Sequence, residues 1–500
     1  MNYASGSGSW LGRHWGWVLA AVGVVGVAAA FLVLAGDTDG QNEQDQEVLQ
    51  PAGQATEGPA PTTSPPAQPS QTPAAVGPPD ETPVEPSAPT SCEVYLGPSP
   101  TPNGDGSLDL PYPSATDAMA DLDPGATLCL LAGRYDEPIV VTASGSDGAP
   151  VTVRGLEGAS VHSIRVEADN VAVENFEVTG ADQHDSVGVF IDGDGVSVRT
   201  NRIHDMVGIA IGCAQALRDE APRCVNSAIV DNTITRIDGW GVWIWGEGNY
   251  VARNDISRVF ADVSGDADGI RFFGADHEIR NNYIHDIYEA DAGPDRAPHS
   301  DCFQTFDLEG TYPALSNVVI SGNVCSTDRH GVIMTQLMGL PASNIRIENN
   351  VFLSDGVAAV LLLGDGVGPE EQYRGVSIVN NLIAGVVDFH GIQTANGAEV
   401  TIANNLFFGD FLPFSGTSLE DGRGSTTTNN LTATAADFTN TDDPDVRRRY
   451  RLAPTSAAID AAAEDLAPAS DLDEQPRPVD GNGDGSPVSD VGPYEYSPME

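Results

Sequence analysis

Five side chains that can transfer protons or bind charge occur in three short segments of the sequence. Asp268 and Arg271 lie in "DADGIRFF", Asp301 and Gln304 in "HSDCFQTF", and His330 in "DRHGVIMT". Carboxylates and imidazoles are the usual general acids and bases of enzymes, whereas a single aspartate more often caps a turn. The segments therefore predict acid–base chemistry on the condition that the fold brings them together.

A repeated pattern predicts that they do meet. Short alternating apolar strands recur with an asparagine between them, at spacings of 22 to 41 residues. Repeats of this length indicate a solenoid, and the lack of a helical period excludes helical repeats. Asparagine tolerates left-handed backbone at bends and its amides can bond from rung to rung, so the units predict an all-β parallel β-helix. The recurring asparagines are Asn175, Asn201, Asn232, Asn254, Asn282, Asn323, Asn350, Asn381, Asn405 and Asn430.

Stacking of the repeats is expected to build two columns of side chains. Equivalent residues of successive rungs lie about 4.8 Å apart, so a column forms a surface. The first predicted column holds Val207, Trp240, Asp268, Asp301 and His330. The second, three residues further along each strand, holds Ala210, Trp243, Arg271, Gln304 and Ile333.

The surroundings of the columns suggest a cleft. The longest repeat spacing, 41 residues, lies immediately before "HSDC", and His299 belongs to this extra loop, which is expected to wall the site. Trp240, Trp243 and Trp245 are predicted to face outward and stack on sugar rings, although aromatic runs also pack beneath loops.

Two further residues repeat the column positions at a distance. His390 and Gln393 stand two rungs beyond His330 in the same register. They are expected to line the far end of the cleft.

The ten asparagine repeats predict about ten rungs. The repeats resemble the right-handed parallel β-helix of the pectin-lyase-like superfamily over roughly residues 92–430. The segments "DADG", "HSDC" and "RHGV" also resemble the polygalacturonase family, which carries D-G, D-D-C and G-H-G on successive rungs. This resemblance implies a carboxylate base for water at Asp268 or Asp301, with His330 assisting. Ser300 stands where the family has its general acid, so Asp268 and Asp301 are expected to divide the two roles, on a neutral or different polysaccharide.

Other functions are compatible with the same scaffold. A polysaccharide lyase or epimerase would use Arg271, Arg296 or Arg329 as its base, with calcium held by Asp268 and Asp301. A non-catalytic surface module would bind a glycan without cleaving it. The glycoside hydrolase requires no cofactor, whereas the lyase would need calcium.

The six cysteines suggest disulfides, because an even number in an exported region is typical of oxidised proteins. Neighbouring pairs would be Cys92–Cys129, Cys213–Cys224 and Cys302–Cys325, although sequence alone leaves the pairing open. The polygalacturonase resemblance implies Cys302–Cys325, since that family joins the cysteine of D-D-C to one just upstream of the histidine.

The N-terminal residues divide into two segments that precede the β-helix. Residues 1–36 include 21 uncharged residues from Gly16 to Gly36, which predict a transmembrane anchor with Arg13 on the cytoplasmic side. A cleaved signal peptide is the alternative, and either one exports the rest of the chain. Residues 37–91 are rich in proline, serine and threonine and predict a disordered linker.

The remainder is predicted to be one extracellular domain. Residues 92–170 form an N-terminal cap with a short helix and the first rungs, 171–433 the repeats, and 434–500 a C-terminal cap. In this last segment Asp480, Asn482 and Asp484 have calcium-loop spacing, but the twelfth position lacks glutamate, which favours a polar turn.

The charge of the chain limits its partners. The net charge is −49, and every one of the 23 basic residues is arginine. So acidic a surface repels nucleic acid, which excludes it as a partner, and disfavours polyanions. We expect a monomer whose partners are a polysaccharide and, through the N-terminal helix, the cell membrane.

Overall fold

The structure, a computed structural model, describes the chain from residue 92 onward with gaps. The predictions for 1–36, 37–91, His299 and Arg296 lie outside the described residues. Within the described part, no helix is long and apolar enough to cross a membrane. The described residues are 92–99, 103–180, 186–213, 224–262, 266–287, 300–306, 315–327, 329–336, 342–354, 358–364, 373–385, 390–394, 398–415 and 425–498.

The N-terminal region contains the predicted short helix. Strand β1 (Val94–Leu96) precedes helix α1 (Ala115–Ala120), and the Ser114 side chain caps this helix by accepting the amide hydrogen of Asp117. Strand β2 (Thr127–Leu130) then pairs in parallel with β1, so the solenoid begins here.

The rest of the described chain consists mostly of short strands. The first half contains β3 (Gly133–Tyr135), β4 (Ile139–Val141), β5 (Val151–Gly155), β6 (Ala159–Val161), β7 (Ile164–Val166), β8 (Val171–Glu174), β9 (Glu177–Val178), β10 (Val187–Ile191), β11 (Gly193–Asp194), β12 (Ser197–Arg199), β13 (Arg202–Gly212), β14 (Cys224–Val225), β15 (Ala228–Val230), β16 (Thr233–Glu247), β17 (Tyr250–Ala252) and β18 (Asp255–Phe260). The second half contains β19 (Ala267–Ala275), β20 (Glu278–Arg280), β21 (Tyr283–Ile287), β22 (Ser300–Phe306), β23 (Ser316–Ser321), β24 (Val324–Thr327), β25 (Val332–Gln336), β26 (Ala342–Glu348), β27 (Val351–Ser354), β28 (Ala358–Gly364), β29 (Tyr373–Val379), β30 (Leu382–Ala384), β31 (His390–Thr394), β32 (Ala398–Ala403), β33 (Leu406–Phe408), β34 (Leu412–Ser415), β35 (Thr426–Thr428) and β36 (Leu431–Thr432). Three 3₁₀ helices follow at Ala435–Asp437, Val446–Arg448 and Glu464–Leu466.

Each rung has three strands, and every strand pairs in parallel with its equivalent in the next rung. The first strands form a series such as β17–β20–β23, the second β18–β21–β24, and the third β19–β22–β25. One continuous core of inward-facing aliphatic and aromatic side chains runs from β1 to β33. The predicted parallel β-helix is therefore confirmed.

The asparagine ladder forms at the corner between first and second strands. Asn282 Nδ2 donates to Asn323 Oδ1 at 3.0 Å, and Asn254 Nδ2 donates to Asn282 Oδ1 at the same distance. The chain of bonds runs without a break from Asn201 to Asn430. Its amides are mostly buried, so they satisfy one another where water is excluded.

The sequence analysis counted Asn175 among the ladder asparagines, and this position was wrong by one residue. The ladder position in that rung belongs to Phe176, whose backbone amide donates to Asn201 Oδ1 at 3.0 Å. Asn175 instead has φ 62°, like the residue that precedes each ladder asparagine, for example Asn281 with φ 54°. Adjacent positions thus divide the two roles, since one takes the left-handed backbone and the next stacks its amide.

The C-terminal segment packs along the side of the solenoid. Phe438, Tyr450, Val491 and Tyr494 join an apolar cluster with outward residues of β24, β27, β30 and β33. A second column of asparagines at the left-handed positions holds its backbone, as where Asn349 Nδ2 donates to Ser470 O at 2.7 Å. The predicted C-terminal cap therefore covers a lateral face. Asn380, Asn404 and Asn429 also donate to backbone carbonyls of this segment, and Asn281 donates to the Glu474 side chain.

All three disulfides between neighbouring cysteines are present, which confirms the predicted pairing. Cys92–Cys129 fastens the N-terminal region, and Cys213–Cys224 joins the end of β13 to the start of β14. Cys302–Cys325 joins β22 to β24 of the following rung, with a Cα–Cα distance of 6.1 Å.

Candidate active site

The third strands of consecutive rungs bring the predicted site residues together. Asp268 of β19 is in register with Asp301 of β22, and Arg271 is in register with Gln304. The amide of Cys302 donates to the carbonyl of His330, which places His330 beside Asp301 on the next rung. The central part of both predicted columns is confirmed.

Small residues beside the site explain this geometry. A Cβ added to Gly269 would lie 2.6 Å from Ile284 Cγ2, and one added to Gly331 would lie 2.4 Å from Phe352 Cδ1. Both glycines therefore face the core. The residue before each, Asp268 or His330, is left to face outward.

The predicted columns were wrong in the first rung. Trp240 is in register with Ile209 rather than Val207, and Trp243 with Gly212 rather than Ala210. The segment "DGWGV" contains two glycines, and Gly208 is in register with Gly239 rather than with Gly241. Matching Val207-Gly208 to Trp240-Gly241 therefore placed the column two residues too early in the first rung.

Asp301 and His330 form a buried hydrogen-bonded pair. Asp301 Oδ1 lies 2.7 Å from His330 Nδ1 and 3.3 Å from the backbone nitrogen of the same histidine. Gln304 Nε2 donates to Asp301 Oδ2 at 3.3 Å. The carboxylate thus holds the imidazole in one orientation, as an acid–base histidine requires.

Arg271 is held by two carboxylates. Its Nε donates to Asp268 Oδ2 at 2.7 Å, and its Nη2 contacts both Asp266 and Asp268. Burial acts to lower the pKa of Arg271, but the two carboxylates outweigh burial and raise this pKa. A guanidinium in this position stays protonated.

Asp266 was missed by the sequence analysis. It lies two residues before Asp268 in "DADG" and pairs with the same guanidinium. Its signal was the D-x-D alternation, because residues two apart in a strand face the same side.

The tryptophans are buried, so the prediction of an exposed aromatic rung was wrong. Trp240, Trp243 and Trp245 cluster with Phe273 and Ile209, and Trp243 is 4% exposed. The Arg271 guanidinium carbon lies 5.0 Å from the ring centroid of Trp240 and 4.8 Å from that of Trp243. The rings pack around the cation, and stacking on sugars remains a prediction.

The outward side of this face is enclosed. Residues of β19 and β22 are buried at almost every position, inward and outward alike. By contrast, the outward residues of the neighbouring first strand β20 are partly exposed. Burial on both sides is unusual for a strand at the surface of a solenoid. We call the covered outward face of β19 and β22, with Trp243 on β16 and His330 before β25, the recess.

The remaining predicted residues lie at a distance or outside the described chain. His390 is in register with Ala358, and Gln393 with Leu361, two rungs beyond His330 as predicted. Between them and the centre, the floor is apolar and includes Ile333. His299 and Arg296 cannot be placed among the described residues.

The loop of Asp480, Asn482 and Asp484 forms a hydrogen-bonded turn. Asp480 accepts from the amides of Gly483, Asp484 and Gly485, and Asn482 Oδ1 accepts from Asp484. Among the described residues, no group of three or more His, Cys, Asp or Glu side chains is arranged to hold a metal. Calcium binding here remains a prediction.

Comparison with known proteins agrees with the architecture. Residues 223–430 match the family model described as "Right handed beta helix region". The described solenoid is a right-handed parallel β-helix. No curated protein sequence matches it.

Two solved structures have a similar β-helix. Pectate lyase Pel9A is 16% identical, with a TM-score of 0.51, over 81% of this chain and 97% of its own. XylC, solved with xylose, is 12% identical, with the same TM-score, over 80% of this chain and 98% of its own. At these identities the similarity establishes the fold, while function depends on the site.

Proposed function

We propose that this β-helix is a carbohydrate-active enzyme whose site lies on the outward faces of β19, β22 and β25, and that it hydrolyses glycosidic bonds. The observation that carries the proposal is the Asp301–His330 pair, with a second carboxylate, Asp268, on the adjacent strand. The substrate class is proposed by analogy with a pectate lyase and a xylose-bound protein of the same fold.

In this mechanism His330 and Asp268 transfer the two protons. Asp301 orients the imidazole through Nδ1, so Nε2 of the imidazolium donates its proton to the leaving glycosidic oxygen. Asp268 accepts a proton from water as the water oxygen bonds to the anomeric carbon and the bond to the leaving oxygen breaks. Exchange with solvent then restores both groups.

The geometry opposes a lyase that uses Arg271 as its base. Such a base must lose a proton, whereas the pKa of Arg271 is raised by Asp268 and Asp266 against the effect of burial. A chain that only binds glycan would not need an oriented histidine. Hydrolysis is therefore the reaction that fits these contacts best.

The test is incubation of the full chain with a panel of polysaccharides, with and without a chelator. New reducing ends without unsaturated products support hydrolysis. Unsaturated ends that disappear with the chelator would replace it with a calcium-dependent lyase. Retention on a polysaccharide without any cleavage would reduce the protein to a binding module.

We also propose that the domain is displayed outside the cell by residues 1–36. The support is its three disulfides, which persist in oxidising compartments. Protease treatment of intact cells should remove the β-helix from the membrane fraction. Recovery of the whole chain from the culture medium would favour the cleaved signal peptide.

A further inference from the structure

Two polar atoms of the recess have no hydrogen-bond partner in the described part of the protein. These are the indole nitrogen Nε1 of Trp243 and the amide oxygen Oε1 of Gln304. Both are buried, and unsatisfied groups in such positions destabilise a fold. Both atoms could therefore form a hydrogen bond with a ligand.

The two residues that carry these atoms stand in one line across the site. Trp243 is in register with Arg271, and Arg271 with Gln304, so the three side chains occupy successive strands. Trp243 Nε1 is a donor and Gln304 Oε1 is an acceptor. The Arg271 between them is neutralised by Asp268 and Asp266. The line therefore presents a donor, an ion-paired cation and an acceptor.

Sugar hydroxyl groups fit both ends of this line, one hydroxyl at each end. A hydroxyl oxygen can accept from Trp243 Nε1, and a hydroxyl hydrogen can be donated to Gln304 Oε1. An ionised carboxylate has no hydrogen to donate, so it would leave the Gln304 oxygen unsatisfied and repel it.

The charge of the recess also disfavours an anionic ligand. Asp266 and Asp268 face the Arg271 guanidinium, and Asp301 faces the His330 imidazole, so three carboxylates stand against one guanidinium and one imidazole among the described residues of the site. A uronate in this enclosed place would meet net negative charge at short range.

We infer that Trp243 Nε1 and Gln304 Oε1 are the specificity groups of the site and select a neutral, hydroxyl-rich sugar over a uronic acid. The inference rests on the proposed function for the location of the site and for the substrate class.

The first test uses the wild-type full chain. Binding is measured by calorimetry to uronic-acid polysaccharides, each paired with its carboxyl-reduced derivative, and to neutral polysaccharides such as xylan. The expected result is at least tenfold tighter binding to the neutral member of a pair, with little dependence on salt. Tighter binding to the charged member, or no binding to any glycan, overturns the inference.

The second test removes each atom. Trp243→Phe keeps a ring beside Arg271 without the donor, and Gln304→Met keeps the length without the acceptor. Each is expected to weaken binding of the best neutral glycan by about tenfold, the usual effect of one hydrogen bond. Gln475→Met is the matched control, because Gln475 is exposed in the C-terminal segment. Circular dichroism verifies that each variant is folded.

Two outcomes separate this inference from the proposed reaction. If neutral glycans bind to the wild type, bind more weakly to both variants and are never cleaved, the specificity role of Trp243 and Gln304 is supported. The proposed hydrolysis is then contradicted. If charged glycans are cleaved and both variants bind them with wild-type affinity, the proposed hydrolysis is supported. The specificity role of Trp243 and Gln304 is then contradicted. A Gln304→Met protein with lower kcat and unchanged affinity would show that Gln304 positions Asp301 instead, and would overturn its specificity role.

Discussion

At the scale of single residues, Asp301 connects several parts of the site. Its carboxylate contacts the ring and the backbone of His330 and accepts from Gln304, while the next residue, Cys302, anchors the strand through its disulfide. This combination of an oriented imidazole and a fixed backbone is what acid–base catalysis requires.

Asp301→Asn is expected to lower turnover by about 10²–10⁴-fold, because it removes the charge that orients the His330 imidazolium. The amide is nearly isosteric, so the fold should persist. Initial rates on the cleaved polysaccharide and a circular dichroism spectrum check both points. Asp231→Asn, which alters an exposed ion pair with Arg253, should leave the rate unchanged. Wild-type turnover in Asp301→Asn would place the chemistry elsewhere.

His277 is a buried histidine that supports the corner beside β19. Its Nδ1 accepts from the Asn249 amide at 3.3 Å, and Nε2 donates to the carbonyl of Phe273 at 2.9 Å. Burial lowers the pKa of His277, so the folded state resists protonation. The unfolded chain takes up a proton below about pH 6.5, and stability is lost as the pH falls from there through the folded pKa.

His277→Asn is expected to remove this acid-dependent loss, because an asparagine can continue the contact with Asn249 without titrating. Urea denaturation at pH 7.5 and pH 5 measures it. The wild type should lose more free energy of unfolding between the two pH values than the variant. An equal loss in both proteins would show that His277 does not contribute.

At the scale of elements, the asparagine ladder and the disulfides hold successive rungs in register. Asn282 donates to Asn323 Oδ1 and to the carbonyl of Val251, and accepts two hydrogen bonds from Asn254. The last ladder residue, Asn430, is partly exposed and ends the chain of bonds.

Asn282→Ala is expected to lower the free energy of unfolding by about 3 kcal/mol, because buried partners on both sides are left unsatisfied. Asn430→Ala is the matched control at the solvent-exposed end and should cost about 1 kcal/mol. Urea denaturation of both variants makes the comparison. Equal costs would mean that ladder bonds contribute independently of burial.

The disulfide between Cys302 and Cys325 is expected to matter for turnover as well as stability. Replacing both cysteines with alanine should cost about 3 kcal/mol and also lower the rate, since β22 carries Asp301. The matched variant lacks Cys92 and Cys129, far from the site along the chain, and should lose stability alone. Thermal unfolding and initial rates of the two variants measure both effects. An equal loss of rate in the two variants would contradict a specific role for the Cys302–Cys325 disulfide in turnover.

At the scale of the whole molecule, the C-terminal segment is bound to the solenoid through a buried charged group. Arg477 donates to Asn349 Oδ1 of the solenoid at 3.3 Å and to Glu495 Oε1 at 2.8 Å. The side chains of Arg477 and Glu495 are both 1% exposed. Burial, with a contribution from Glu495, raises the pKa of Asp490 to about 7. The segment therefore holds a carboxyl group that favours its protonated form.

The contribution of Asp490 to the free energy of unfolding is accordingly expected to fall as the pH rises from about 4 to 7. Below the pKa of an aspartate in the unfolded chain, Asp490 is protonated in both states. Above that pKa it ionises first in the unfolded chain, which lowers the free energy of unfolding by up to about 4 kcal/mol at pH 7. Asp490→Asn should flatten this dependence. Melting temperatures at pH 4.5, 5.5, 6.5 and 7.5 provide the measurement, and parallel curves for wild type and variant would contradict the assignment.

The sequence by itself determined the solenoid, the ladder and the central columns. Asparagines at a repeating spacing and alternating apolar residues can stack in few ways, because each strand must bury one face. The alignment of Asp268, Asp301 and His330 followed from that stacking, whereas the sequence left the pairing of the six cysteines open. Where a strand offered two glycines, Gly239 and Gly241, matching the wrong one gave the wrong register for Trp240.

Tertiary structure alone decided what the outward side chains contact. The Arg271 guanidinium could have faced a ligand, but Asp266 and the indoles of Trp240 and Trp243 enclose it. The C-terminal segment could have closed the end of the solenoid, but it covers the side. The stacking of strands depends on backbone hydrogen bonds that repeat with the sequence pattern, so it could be predicted. The contacts of Arg271 and of the C-terminal segment join side chains that are far apart in the sequence, and their distances depend on the packing of the whole fold.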